Sequence, residues 1–145
     1  MVEEFTGKYR FLSNFWSCFI VYKGVEYPSV ENAYQAAKCL NRMDRERFLN
    51  IKASEAKKLG RVIQMRPGWD GEKLQVMYEL VKQKFRDPVL KEKLLATGTR
   101  QLEEGNWWGD TYWGTVNGVG ENHLGKILMR VREEYAAYVT TTEKA

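Results

Sequence analysis

The stretch Pro28-Ser29-Val30-Glu31-Asn32-Ala33-Tyr34-Gln35-Ala36-Ala37-Lys38 constrains the fold more than any other part of the chain. Ser29 offers a side-chain oxygen to an orphan N–H of a first helical turn, and a helical period starts directly after it. At about 100° per residue, Val30, Ala33, Ala37 and Leu40 share a small apolar face suited to packing on other elements. Glu31, Gln35 and Lys38 fall within roughly a 60° sector of a second face. Glu31 and Lys38 stand two turns apart, about 10 Å along the axis, beyond the i,i+4 pair and suited to holding something between them. Taken alone, such a row is also what an ordinary solvated face looks like. The rest of the chain decides between the two.

At 145 residues the chain is long enough to bury a core as one domain, 1–145, without staples. With 43% hydrophobic and 29% charged residues and no long apolar run, it reads as a globular protein with no membrane partner. Met1-Val2-Glu3-Glu4-Phe5 has neither the basic start nor the apolar core of a signal peptide, so a cytoplasmic location is expected. Cys18 and Cys39 lack partners at metal-ligand spacing, and His123 is the single histidine, so no metal site is predicted and catalysis has to rest on carboxylates and amines. A net charge of +4 favours phosphate-bearing ligands without forming a nucleic-acid signature. Five Trp and eight Tyr suggest a cleft that stacks a flat ring, beside those that fill the core.

Trp16 to Tyr22 and Val25-Glu26-Tyr27 around Lys23-Gly24 predict a β-hairpin, with a bend at Ser13-Asn14 presenting a hydroxyl and an amide. Asp44 is expected to cap a helix over 45–51, Ser54 another over 55–64, and Asp70 a third over 71–86. Trp69 falls on the Arg66-Pro67-Gly68-Trp69-Asp70 turn, as a core lid or as a stacking platform at a cleft rim. Leu74, Met77, Tyr78, Val81 and Phe85 form the core stripe of the 71–86 helix, with Lys84 at its edge. Asp87-Pro88 opens another helix that ends at Thr97-Gly98. Residues 99–121, glycine-rich and with three Trp, read as an ordered binding loop in which Asp110 lies beside Trp113. Asn122 caps the last helix, His123 is a surface residue, and 139–145 form a frayed tail. No P-loop or dinucleotide fingerprint is present. The fold class is mainly α with a small N-terminal β-hairpin, α+β.

Assembled, these pieces resemble the NADAR family, also called YbiA-like, from about Tyr9 to Arg132. The resemblance rests on Phe11-Leu12-Ser13-Asn14-Phe15, on Tyr27 to Lys38, on the tryptophan of Arg66-Pro67-Gly68-Trp69, on Lys84-Phe85, on Thr97-Gly98, on Asp110-Thr111-Tyr112-Trp113-Gly114 and on Asn122-His123-Leu124-Gly125 with Leu128 to Arg132. Each is weak alone, and their order and spacing are specific. With the family in view, the solvated-face reading of Glu31 and Lys38 gives way to a functional one.

The resemblance implies an N-glycosidase that hydrolyses the ribose–nitrogen bond of a small phosphoribosyl substrate, an early riboflavin-pathway intermediate, or removes ADP-ribose from guanine, including in nucleic acid. Cleaving such a bond develops positive charge on the ribose and negative charge on the departing nitrogen. Glu31 and Asp110 are then the expected acid–base and electrostatic groups, and Lys38 either contacts phosphate or attacks an opened ribose. Trp69 and Trp113 are expected to stack the base or close the cleft, and Ser13 and Asn14 to hold ribose or phosphate. Phe15, Tyr34, Gln35 and Lys84 complete the expected substrate contacts. No cofactor is required. A module that binds ADP-ribose without turnover is the alternative, and it leaves both acids and Lys38 unexplained.

Overall fold

The computed structural model describes residues 1–144, with side chains through residue 138. It runs through a 3-10 helix (Gly7–Leu12), β1 (Ile20–Tyr22), β2 (Val25–Tyr27), α1 (Val30–Ala37), α2 (Arg42–Glu46), α3 (Ala53–Gly60), α4 (Trp69–Lys84), α5 (Pro88–Ala96) and α6 (His123–Lys144). The mainly helical class with one small hairpin is as expected. None of the described helices is long and apolar enough to cross a membrane. The chain divides into two compact units, Asn14–Lys84 and Met1–Ser13 with Phe85–Ala145.

In the Asn14–Lys84 unit, α1 packs against α2, α3, α4 and both strands, so all eight of its residues are buried. Ser29 accepts the N–H of Asn32 at 3.0 Å, the cap read from sequence. Asn32, wholly buried, donates to the carbonyls of Phe48 at 2.8 Å and Ile51 at 2.9 Å and accepts from the Ser29 hydroxyl at 2.6 Å. These bonds tie the irregular 48–51 segment to the helix. The hairpin is antiparallel, with Ile20 opposite Tyr27, both buried, and it turns at Lys23 and Gly24 with φ of +48° and +78°. Two left-handed residues in a two-residue turn match the twist of the strands. The Gln83 amide pairs with both the N–H and the C=O of Val21, closing that strand's edge.

Several boundaries shift from their sequence positions. Asn41, not Asp44, caps α2, and Asp44 sits in its first turn, bonded back to the Asn41 amide. α3 starts after Lys52, whose N–H is taken by the Glu55 carboxylate, so Ser54 is not its cap. α4 begins at Trp69, which makes Asp70 a first-turn residue and places Trp69 on the helix rather than on the turn. Leu40 lies past the end of α1 and is exposed, and Leu74 is exposed while Leu80 joins Met77 and Val81 inside. Lys84 is not at an edge. It stands seven residues after Met77 on the same helical face and is buried.

In the other unit, α5 packs on α6, and Asp87 accepts the N–H groups of Val89 and Leu90 at 2.9 and 3.1 Å, as its position before Pro88 predicts. Phe11 meets Phe85 edge-on at 6.4 Å, and Arg132 bonds the Thr97 hydroxyl at 3.0 Å. Asn122 has φ of +52°, and its amide bonds Leu102 and Glu104 rather than capping α6. Gly125 lies so close to the Leu102 carbonyl that a Cβ there would come within 2.2 Å of the oxygen. α6 continues through Lys144, so the tail expected over 139–145 is helical to that point, and residue 145 lies outside the described residues.

Candidate active site

Of the residues expected to act, Glu31, Lys38, Asn14, Phe15, Tyr34, Gln35, Trp69 and Lys84 belong to the Asn14–Lys84 unit, and Ser13, Asp110 and Trp113 to the other. The polar row of α1 is not solvated. Glu31 is 8% exposed and Gln35 6%. The Gln35 amide donates to Glu31 Oε1 at 2.9 Å, and the N–H of Glu31 donates to the Asn14 carbonyl at 3.0 Å. The Asn14 side chain, also buried, reaches Met77 Sδ at 3.4 Å. Phe15 is exposed at 42%.

At the end of α1 the Lys38 amine donates to the Gly60 carbonyl at 3.3 Å and lies 5.7 Å from the centre of the Tyr34 ring. Burial lowers its pKa below the usual lysine range; Glu31 and Cys39 oppose that, and Lys73 and Arg61 reinforce it. A carboxylate and a destabilised ammonium therefore share one helical face. Trp69 is buried, 5.3 Å from the Tyr34 ring, with the Arg66 guanidinium 5.2 Å from its own ring centre. The Arg66 guanidinium also donates to the Ala37 carbonyl at 2.9 Å, its backbone N–H donates to the Lys38 carbonyl at 2.7 Å, and it pairs with Glu72, so it locks the end of α1.

The second amine of the unit, Lys84, is pulled down by burial to about 7, with Cys18 opposing the fall. Its burial favours the neutral, unprotonated amine. Its seven-residue spacing from Met77 was the signal in the sequence. Arg66 was missed as a site residue, although its three-residue spacing to Trp69 carries the pairing.

In the other unit, Asp110 Oδ1 accepts the N–H groups of Tyr112 at 3.0 Å and Trp113 at 2.9 Å. Asn106 clasps the backbone of Asp110 from both sides, its amide accepting at 2.9 Å and donating at 2.8 Å. Trp113 then lies edge-on to Tyr112 with ring centres 5.0 Å apart. His123, expected to be unpartnered at the surface, stands 4.5 Å from the Tyr112 ring and 3.6 Å from the Glu121 carboxylate.

The chain is 40% identical over 129 residues to a riboflavin biosynthesis protein of Vibrio vulnificus, covering 86% of this chain and 35% of that longer protein. It is 39% identical to an N-glycosidase of Nostoc punctiforme, covering 92% of this chain and 90% of the relative. It is 35% identical to the N-glycosidase YbiA of Escherichia coli over 88% of this chain and 82% of YbiA. The NMR structure of E. coli YbiA superposes with a TM-score of 0.82 at 32% identity, covering 97% of this chain and 89% of that one. Residues 2–136 match the NADAR domain, and the chain belongs to the NADAR family.

Proposed function

We propose that this chain is an N-glycosidase that hydrolyses the ribose–nitrogen bond of a phosphoribosyl- or ADP-ribosyl-linked base. The names of its Nostoc and Escherichia relatives support the reaction class. The observation that carries the reading is the Glu31 carboxylate, withdrawn from water, fixed through one oxygen by Gln35 and accompanied on its helical face by the part-buried Lys38 amine.

As the C1′–N bond breaks, cationic character develops on the ribose. A preorganised carboxylate in a water-poor site stabilises that charge far more than one in bulk water. Water oxygen bonds to C1′, one of its protons passes to Glu31, and the departing nitrogen takes up a proton. Lys38, with its lowered pKa, provides either that proton or a nucleophile. As a nucleophile its free amine adds to C1′ of the ring-opened substrate, where the base is held as an imine, and expels the base with a proton, leaving a lysine imine that water hydrolyses to the ribose aldehyde and free amine. Trp69 backs Tyr34, and the ring of Tyr34 beside Lys38 screens the amine from solvent. Asp110 acts within its own unit, holding the turn that presents Trp113.

The riboflavin name of the Vibrio relative favours a phosphoribosylaminopyrimidine over ADP-ribosylated guanine as substrate. Chromatography of the purified protein after incubation with phosphoribosylaminopyrimidines, ADP-ribosylated guanosine and ADP-ribosylated DNA tests both. Release of free base from the first is expected. Intact substrates throughout, with saturable binding of ADP-ribose, would instead identify a binding module. Borohydride added during turnover, followed by peptide mass mapping, separates the two roles of Lys38: an adduct on Lys38 makes it the nucleophile, one on Lys84 moves that role there, and no adduct leaves Lys38 as a proton or phosphate partner.

A further inference from the structure

Gly60 ends α3 in ordinary helical conformation, where glycine is a poor choice: apart from proline no residue favours a helix less, and alanine fits such a backbone without strain. Its surroundings supply the reason. A Cβ on Gly60 would lie 1.9 Å from Gln35 Oε1 and 2.5 Å from Gln35 Cδ, so the Gln35 carboxamide rests directly on the bare Cα. The other end of that carboxamide donates to Glu31 Oε1 at 2.9 Å. The carbonyl of the same glycine accepts the Lys38 amine at 3.3 Å.

We propose that Gly60 is a positioning residue: its missing side chain sets the Gln35 amide against the Glu31 carboxylate, while its carbonyl holds the Lys38 amine, so one residue fixes the spacing of both groups. The assignment rests on the reading of Glu31 and Lys38 as the reacting pair.

The orientation of the amide carries a cost that packing alone does not explain. Gln35 Oε1 is buried without a hydrogen-bond partner, and an unpaired carbonyl away from water is unfavourable. Packing alone is as well served by an apolar side chain of the same length. What that side chain cannot do is donate to Glu31. An unsatisfied buried acceptor maintained beside a held carboxylate is the pattern of a site that gives up stability for geometry.

The test needs no substrate. In the wild-type protein and in Gly60→Ala, the side-chain carboxyl ¹³C signal of Glu31 is followed through a pH titration. Removing a hydrogen bond to the charged form disfavours that form, so the midpoint of Glu31 moves to higher pH in the variant. Gln35→Met, which keeps the length and loses both the donor and the orphan acceptor, gives the same upward shift with a Tm at or above wild type, and it decides the matter if Gly60→Ala does not fold. Once a substrate is in hand, both variants lower kcat by about 10- to 100-fold with little change in KM, the scale expected from misplacing a reacting group by about 1 Å. Combining Gly60→Ala with Gln35→Met adds no further loss, because both act through one amide. An unchanged Glu31 midpoint in a folded variant overturns the proposal, as does a double variant whose losses simply add. An active Glu31→Gln, by contrast, overturns the functional reading and leaves the titration result standing.

Discussion

α1 and the loop over residues 99–121 both hold polar groups in place, and they do it by opposite means. The eight residues of α1 are all buried because α2, α3, α4 and the hairpin surround them, and each polar side chain is held by partners far away in sequence or on the next turn. The start of the loop is tied to Val2 and Glu3 by backbone bonds, but its turn around Asp110 is held locally, by Asn106 and Asp110 side chains bonded to backbone two to four residues away, and several of its residues stay exposed. A helix so enclosed shares its stability with the whole unit, whereas a clasped turn can open alone. Rigid placement of a buried carboxylate therefore belongs to α1.

The sharpest way to break that contrast is Asn32→Ala. It leaves the carbonyls of Phe48 and Ile51 without their partner inside the unit, and it should lower stability by about 3 kcal/mol, on the order of 10 °C in Tm. A calorimetric Tm within a few degrees of wild type would remove Asn32 from its role in anchoring α1.

A second effect comes from Lys84. Its pKa in the folded protein lies near 7 against 10.5 in the unfolded chain, so between those values the unfolded chain binds a proton that the folded protein lacks. Stability contributed by this group therefore rises with pH across that window and is lost as pH falls through about 7. In Lys84→Met that rise disappears, and the gain in Tm over wild type is largest below about pH 7 and shrinks toward about pH 10. Thermal melts across that range measure it, and parallel pH profiles in the two proteins would count against a neutral buried amine.

Asp110→Ala is expected to act locally. Removing an acceptor for two N–H groups costs about 1 kcal/mol, as loss of a helix cap does, and hydrogen exchange should quicken at the Tyr112 and Trp113 amides while those of α1 stay protected. Equal acceleration in both regions would mean that the loop and α1 open together. The smallest change is Gln83→Ala at the Val21 edge, about 0.5 kcal/mol by chemical denaturation, because that amide pairs with an exposed strand.

What could be read from the residues alone follows the same division. The Ser29 cap, the Asp87-Pro88 start and the shared face of Glu31, Gln35 and Lys38 are consequences of local spacing, and all three are present. The enclosure of that face is not local: it depends on α3 and α4 arriving from later in the chain, so a solvated row and a buried one look alike in sequence. Asn41 and Asp44, three residues apart, are both able to cap α2, and only the backbone geometry selects Asn41. Trp69 looked like a turn residue because Pro67-Gly68 precedes it, yet its ring buries beside Tyr34 and starts a helix. The burial of Lys84 was hidden by its charge, although its helical spacing from Met77 pointed inward. Gly60 gave no signal at all, since its meaning lies in a side chain 25 positions earlier.

In the proposed mechanism Glu31 is the carboxylate that stabilises the breaking ribose–nitrogen bond. Its most direct test is kcat for Glu31→Gln on a phosphoribosylaminopyrimidine, measured as free base released, with the Tm recorded on the same sample. The substitution keeps the shape of the side chain and removes its charge, so kcat should fall by about 1,000-fold while Tm stays within about 5 °C of wild type. A folded Glu31→Gln protein that turns over within about threefold of the wild-type rate would contradict it.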